Sequence, residues 1–316
     1  MRRLLIHKLG SLAVVFAFST AGLASSSATP VPASQPKVMS SSEGNTCVVL
    51  DSGSLRCWGS HWSFTGFYGN QSSVAPVSVP NDLGPVQFVQ TNQFNTCAIM
   101  TSGILRCWGN RVNAQRGYGY SLAGVPQDLG PVTTVQTNEY NACAIQKTGQ
   151  LRCWGRLLNP GWNINPMEVP ANLGPVIAVE ANASNICAIQ TSGYLRCWGF
   201  QSNTNTTAAS QVPADLGPVT AVQSNAHNTC AIQVSGNLRC WGVQDNGHSM
   251  VEVSVPANLG PVTAVQTNMS HTCVILASGE VACSGIKRVG NNLRAVGVPI
   301  DLGHTFSAGG GTVTPA

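Results

Sequence analysis

Charged and aromatic side chains are both scarce in this chain. Of its 316 residues only 9% are charged and 6% aromatic, and the formal net charge is +4, with Arg2, Arg3 and Lys8 crowded at the start. No tract of Lys and Arg comes after them, which argues against a phosphate-neutralising, nucleic-acid-binding surface. After the first residues no apolar run approaches the roughly 20 residues of a membrane helix. The mature chain is therefore expected to be soluble, without a membrane span. Nor does any long segment there carry a 3.6-residue apolar period, so helices are not expected. Catalytic groupings are missing as well. His61, His227, His248, His271 and His304 show no ligand spacing, and Asp82, Asp128, Asp215 and Asp301 precede Leu-Gly and read as turn formers. No catalytic, metal or cofactor-binding set emerges, and the chain is expected not to be an enzyme.

What the chain does have is cysteine in fixed phase. Its 12 cysteines form the pairs Cys47/Cys57, Cys97/Cys107, Cys143/Cys153, Cys187/Cys197, Cys230/Cys240 and Cys273/Cys283, and the first members are 50, 46, 44, 43 and 43 residues apart. A constant period of this size marks a repeat architecture. The first 24 residues, basic and then apolar, read as a secretory signal with cleavage as late as residue 28. Residues 25–40 then form a linker and first strand, 41–308 the repeat domain, and 309–316 a tail. Even cysteines behind a secretory signal point to disulfides in an oxidising compartment and a secreted protein. Zinc clusters bring ligands two to four residues apart, which this spacing does not.

Within a repeat the pieces are short, rich in Val, Ile, Thr and Trp, and broken by Gly, Pro and Asn, the grammar of strand and turn. If Cys187 faces Cys197, then Ala188 faces Arg196, Ile189 faces Leu195 and Gln190 faces Tyr194. Thr191-Ser192-Gly193 remain as a three-residue loop, and such a loop wants positive φ at its last position, where Gly falls. Gly53, Gly103, Gly149, Gly236 and Gly279 occupy the same place. Cys187, Ile189, Leu195 and Cys197 then share one face, with Ala188, Arg196 and Trp198 on the other. A sheet with apolar groups on both faces needs cover on both, as radially packed blades provide. The expected fold is all-β: a β-propeller of four-stranded blades, six in number with a degenerate seventh left open, one hairpin disulfide in each.

Three further positions repeat. Trp58, Trp108, Trp154, Trp198 and Trp241 are expected to pack between blades. Asn92, Asn138, Asn182, Asn225 and Asn268 read as tight turns, with a ring of amides at a pore mouth as the competing reading. Arg56, Arg106, Arg152, Arg196 and Arg239 are expected to stack on neighbouring aromatics or bond loop carbonyls. The C-terminus restarts a repeat at Val298-Pro299-Ile300-Asp301-Leu302-Gly303, and a last strand near Thr305 to Ala308 is expected to close against the N-terminal segment.

The motif from Asn268 to Cys283, Asn-x-x-His-Thr-Cys-x-Ile-x-x-Ser-Gly-x-x-x-Cys, and Leu-x-Cys-Trp-Gly at Leu238 to Gly242 resemble the repeat of the regulator of chromosome condensation family. That repeat reads Gly-x-x-His-(Ser/Thr)-x-Ala-Leu-x-x-(Asp/Asn)-Gly, followed by a strand ending in Trp-Gly. The resemblance runs from about Val31 to about Phe306. Asn stands where the family has Gly, and only His271 keeps its His. The resemblance implies a β-propeller, usually seven-bladed. It also implies guanine-nucleotide exchange, which the expected compartment disfavours. The short period and the linker Val-Pro-Ala-(Asp/Asn)-Leu-Gly-Pro-Val look closer to secreted bacterial propellers of the β-lactamase inhibitory type. This likeness implies binding of an extracellular enzyme through loops on one face, and it carries no contact residues across.

Function is expected where the chain does not repeat. After each Trp-Gly comes a segment of changing length, and these segments hold Trp62, Phe64, Phe67, Tyr68, Arg116, Tyr118, Tyr120 and Trp162. Trp, Tyr and Arg dominate interface hot spots, and variable loops on a stiff scaffold are the usual place for recognition. The expected partner is an extracellular or cell-surface protein. A carbohydrate stacked on the aromatics is the alternative.

Overall fold

The computed structural model describes residues 36–313 except 43, 65–71, 93, 110–123, 139–140, 159–163, 167, 183, 200–210, 226, 246–249, 253–254, 256–258, 268–270, 290–291, 296–302 and 307–311. The expected signal segment and the C-terminal residues 314–316 lie outside these. The chain divides into two compact units, residues 1–139 and 140–316. The first holds β1 (Pro36–Ser41), β2 (Asn45–Leu50), β3 (Leu55–Phe64), β4 (Ser72–Pro76), β5 (Val86–Thr91), β6 (Asn95–Met100), β7 (Leu105–Gly109) and β8 (Val132–Thr137). The second opens with β9 (Asn141–Gln146), β10 (Leu151–Leu158), β11 (Ile164–Pro166), β12 (Val176–Ala181), β13 (Asn185–Gln190), β14 (Leu195–Gly199), β15 (Val219–Ser224) and β16 (Asn228–Gln233). It continues with β17 (Leu238–Asp245), β18 (Met250–Glu252), β19 (Val262–Thr267), β20 (His271–Leu276), β21 (Val281–Val289), β22 (Asn292–Ala295), β23 (Gly303–Phe306) and β24 (Thr312–Val313). Among the described residues there is no helix.

The hairpin register follows the turn chemistry. In the fourth repeat Cys187 faces Cys197, Ala188 faces Arg196 and Ile189 faces Leu195. The Gln190 N–H donates to Tyr194 O and the Gly193 N–H to Gln190 O, both at 2.9 Å, and Gly193 has φ +85°. Gly53, Gly103, Gly149, Gly236 and Gly279 all have positive φ, which a side chain would resist.

All six expected disulfides are present: Cys47–Cys57, Cys97–Cys107, Cys143–Cys153, Cys187–Cys197, Cys230–Cys240 and Cys273–Cys283, with Cα atoms 4.0–4.1 Å apart. The two ends of a bridge are not equally covered. Cys47, Cys97, Cys143, Cys187 and Cys230, on the middle strands, are fully buried. Their partners Cys57, Cys107, Cys153, Cys197 and Cys240, on the third strands, are only half-buried. The sixth bridge reverses this, with Cys283 buried and Cys273 half-buried. The reversal fits the extra strand, β23, that lies against Cys283. These cysteines are structural cross-links, and none is free to act as a ligand or nucleophile.

The hairpin glycine also ties each repeat to the next. The N–H groups of Val86, Val132, Val176, Val219 and Val262 donate to the carbonyls of Gly53, Gly103, Gly149, Gly193 and Gly236, each at 2.8 Å. Around that joint one repeat's disulfide face meets the next repeat's first two strands. Cys187, Ile189 and Leu195 pack on Leu216, Val219, Val222 and Ala231, with Trp241 against the cluster. Cys47, Val49 and Leu55 meet Leu83, Val86, Val89 and Ala98 with Trp108 against them, and Trp198 packs against the cluster of Cys143, Ile145 and Leu151. Tryptophans thus pack onto the preceding repeat. Trp58, on the first repeat, is 55% exposed. Burying a Leu or Ile side chain contributes about 1.5–3 kcal/mol, so these seams are the main source of stability.

Among the described residues, fourth strands pair with the third in four repeats: β4 with β3, β11 with β10, β18 with β17 and β22 with β21. The third strands β7 and β14 are described as far as Gly109 and Gly199. Gly59, Gly155, Gly242 and Gly285 have φ of 96–109°, and Gly109 and Gly199 have φ of 142° and 140°.

Among the described residues the C-terminal strand β23 pairs in parallel with β21, Val281 facing Gly303 and Cys283 facing Thr305, and β24 adds to β23. The reason is chemical. Five linkers continue as Gly-Pro, at Pro85, Pro131, Pro175, Pro218 and Pro261, whereas the sixth continues as Gly303-His304. Proline has no N–H to give a strand ladder; histidine has one.

Candidate binding surface

Each repeat has two unlike ends. At one end lie the hairpin loop and the Leu-Gly-Pro linker. At the other, the first strand turns into the second, and the third strand runs on past it into the variable segment. Gly59, which faces Asn45, stands at that crossing. A Cβ there would lie 2.1 Å from Gly44 O, so the close approach, with φ +96°, requires glycine.

Asparagine builds this second end. Asn92 Oδ1 accepts from the backbone N–H groups of Phe94 (2.9 Å) and Asn95 (3.0 Å), and Asn182 does the same for Ser184 (2.9 Å) and Asn185 (3.0 Å). Asn225 caps His227 and Asn228 likewise. These are side-chain turns. The asparagine three residues on reaches forward: Asn45 Nδ2 donates to Asn92 O (2.9 Å), Asn141 Nδ2 to Asn182 O (3.0 Å) and Asn185 Nδ2 to Asn225 O (3.2 Å). Thr91 Oγ1 donates to Asn45 Oδ1 (2.6 Å), and Thr267 Oγ1 to Asn228 Oδ1 (2.7 Å). Beneath lies an amide layer in which Gln90 Nε2 donates to Gln136 Oε1 (2.8 Å) and Gln223 Nε2 to Glu180 Oε1 (2.7 Å), all four buried. The network anchors the base of the variable segments rather than presenting amides to a ligand.

At the linker end the arginines take partners the sequence did not point to. Arg106 pairs with Asp82 at 2.9 Å, Arg239 with Asp215 at 3.2 Å, and Arg196 donates to Asn172 Oδ1 at 3.3 Å. The expected stacking or carbonyl bonding is replaced by a side-chain oxygen in the preceding linker, 24 residues earlier in each case. Hydrogen bonds from Arg106 and Arg239, and then their charge, hold the Asp82 and Asp215 carboxyls below the usual aspartate range. The indole N–H groups of Trp108, Trp154 and Trp198 are enclosed without a hydrogen-bond partner, in keeping with apolar packing.

Of the eight residues expected to bind, two fall on described backbone. Trp62 stands opposite Val74 and Phe64 opposite Ser72, two residues apart on β3, which places them on one face of the β3–β4 hairpin. Phe67, Tyr68, Arg116, Tyr118, Tyr120 and Trp162 lie outside the described residues. Among the described residues no group of three His, Cys, Asp or Glu could hold a metal ion.

No family model matches the sequence, and no curated protein matches it. Solved structures do. Human WBSCR16 is 16% identical, with 82% of this chain and 81% of that one covered and a TM-score of 0.56. Yeast RCC1 (Prp20), solved with Kap60, is 10% identical, covering 81% and 71%, at 0.55. The entire ectodomain of the Physcomitrella patens receptor kinase CR4 is 18% identical, at 0.54; 81% of this chain is covered, and it spans 64% of that ectodomain. At such identities the likeness shows the fold. The chain is an all-β, RCC1-like propeller of six disulfide-bearing repeats.

Proposed function

We propose that this is an extracellular, non-catalytic protein-binding module whose variable segments engage a protein partner. The observation that carries it is the contrast within each repeat: register, disulfide and turn are copied six times, whereas the segment beyond the third strand differs every time in length and residues. Stiff repeats bearing unlike loops rich in Trp, Tyr and Arg are suited to recognition. All twelve cysteines are in disulfides, which suits an oxidising compartment. The likeness to a receptor-kinase ectodomain supports the same setting. It weighs against nucleotide exchange on an intracellular GTPase.

The concrete form is inhibition of an extracellular enzyme, drawn from the resemblance to secreted inhibitory propellers. The test immobilises the secreted chain and a Trp62→Ala/Tyr118→Ala/Trp162→Ala variant, and passes culture fluid and surface extract over both. One dominant protein retained by the first and lost by the second, with its activity lowered by the free chain, is the expected result. Equal retention by both sinks the proposal.

A further inference from the structure

The sixth repeat carries its positive charge in a different place from the others. Arg56, Arg106, Arg152, Arg196 and Arg239 precede the second cysteines of five repeats, and Ala282 stands there in the sixth. Arg106 and Arg239 are paired with the linker carboxylates of Asp82 and Asp215. The cations of the sixth repeat, Lys287, Arg288 and Arg294, lie instead in the segment beyond its third strand. No Asp or Glu occurs from residue 281 to residue 300. The segments beyond the other third strands hold at most two charges of one sign, Arg111 and Arg116 in the second, Asp245 and Glu252 in the fifth.

The register sets these cations against one another. β21 and β22 pair with Lys287 directly opposite Arg294, Arg288 opposite Leu293 and Ile286 opposite Ala295. Lys287 and Arg294 therefore share one face of the hairpin, and Arg288 falls on the other. Directly opposed residues in an antiparallel pair have Cβ atoms about 4.5–5.5 Å apart, and like charges there destabilise the pairing. Neither strand contains an acid to relieve it. Nor is the hairpin loosely joined. Residues 290–291 alone connect β21 to β22, whereas residues 65–71, 159–163 and 246–249 connect the other three pairs of third and fourth strands. A short connection fixes register. Two cations held opposite each other in fixed register suit an anion that neutralises both.

We propose that the β21–β22 hairpin binds an acidic polysaccharide, whose carboxylate or sulfate groups neutralise Lys287 and Arg294 on one face and Arg288 on the other. Two observations favour a linear polyanion over a folded protein. Cations on both faces of a two-stranded hairpin suit a flexible chain that passes around it, whereas a folded partner covers one face. The stretch from Ile286 to Ala295 also holds no aromatic residue, the common anchor of a protein–protein contact. The site goes beyond the protein-binding reading and uses none of the aromatic residues on which that reading rests.

The probe is a fluorescein-labelled alginate oligosaccharide, titrated by anisotropy against the secreted chain. Saturable binding is expected, weakened by added salt and not displaced by neutral dextran. Competition by heparin then separates sulfate from carboxylate recognition. Lys287→Gln/Arg294→Gln is expected to weaken binding about tenfold or more, and Arg56→Gln/Lys147→Gln, with the same loss of charge, to leave it unchanged. Lys287→Glu turns the like-charge pair into an opposite one, so it is expected to weaken binding at least as much while raising the melting temperature. No saturation up to about 1 mM overturns the proposal. So does equal weakening by the two double variants, which reduces the effect to net charge. Displacement by poly-L-glutamate or single-stranded DNA as readily as by unlabelled alginate overturns it too, as attraction to any polyanion. A lowered melting temperature for Lys287→Glu means that an acid elsewhere in the chain already neutralises the pair, and has the same consequence. The Trp62/Tyr118/Trp162 triple variant is expected to bind the probe normally. The loop proposal and the hairpin proposal therefore fail separately.

Discussion

Neighbouring repeats meet in two different ways, and the contrast shows which parts of the molecule tolerate change. Around the disulfides the seam is apolar: Leu216 and Val219 of one repeat against Ile189 and Leu195 of the last. At the variable end the seam is polar: Asn, Thr and Gln side chains in specified hydrogen bonds, many fully enclosed. An apolar seam asks for volume and can repack with little loss. A buried polar seam asks for each partner, because an orphaned donor bears its full desolvation penalty.

The largest effect is expected where the polar end permits no side chain. Gly242→Ala puts a Cβ 2.3 Å from His227 O and 2.8 Å from Asn228 Cα at φ +98°. A loss above roughly 3 kcal/mol, or failure to fold, is expected in urea unfolding followed by circular dichroism. Leu216→Ala tests the apolar seam and is expected to cost about 2–5 kcal/mol in the same titration. Leu216→Met should cost under about 1.5 kcal/mol, and equal losses for the two would deny that this seam repacks. Asn92→Ala strips the acceptor from the Phe94 and Asn95 N–H groups. Its expected loss is about 1–3 kcal/mol, with faster amide exchange at those two residues as the distinguishing readout.

The smallest effect belongs to the exposed ion pairs. Arg239 lowers the Asp215 carboxyl, so any stabilisation is fully present above the ordinary aspartate range and is lost as pH falls through the lowered value. The carboxylate is fully exposed, and screening leaves little to lose. Asp215→Asn is expected to leave the acid-unfolding midpoint where it was; a clear upward shift of that midpoint would make the pair part of the seam.

Much of this could be read from residues alone because the information was local. The facing of Cys187 and Cys197 follows from loop length and a glycine four residues before the second cysteine, all inside one hairpin. The bridges to Cys57, Cys107 and Cys153 were legible from the same spacing. So were the Asn turns, which close within three residues. The forward reach of Asn45 to Asn92 O was not, since the partners are 47 residues apart and meet only once repeats pack. The Arg239–Asp215 pair was missed because both residues had satisfactory local readings, one as packing and the other as a turn former. The parallel strand β23 hung on one substitution after a repeated glycine, His304 for proline, whose meaning appears only beside β21. The variable segments resist reading for the opposite reason: with no second copy to compare, no residue there is marked out by phase.

The asparagine relay has a direction. The amides of Asn45, Asn92, Asn141 and Asn185 each donate to a backbone carbonyl of the next repeat. Each repeat therefore asks its successor for a main-chain carbonyl, which any residue supplies, and for a hydroxyl at the position of Thr91 and Thr267, which the repeat itself copies. A copying error that adds or removes one full period joins equivalent positions and leaves no interior amide stranded, whereas a fractional period breaks the relay at once. Such a chain can change length in whole steps over generations without first solving a packing problem, and each added step brings a new loop free to vary.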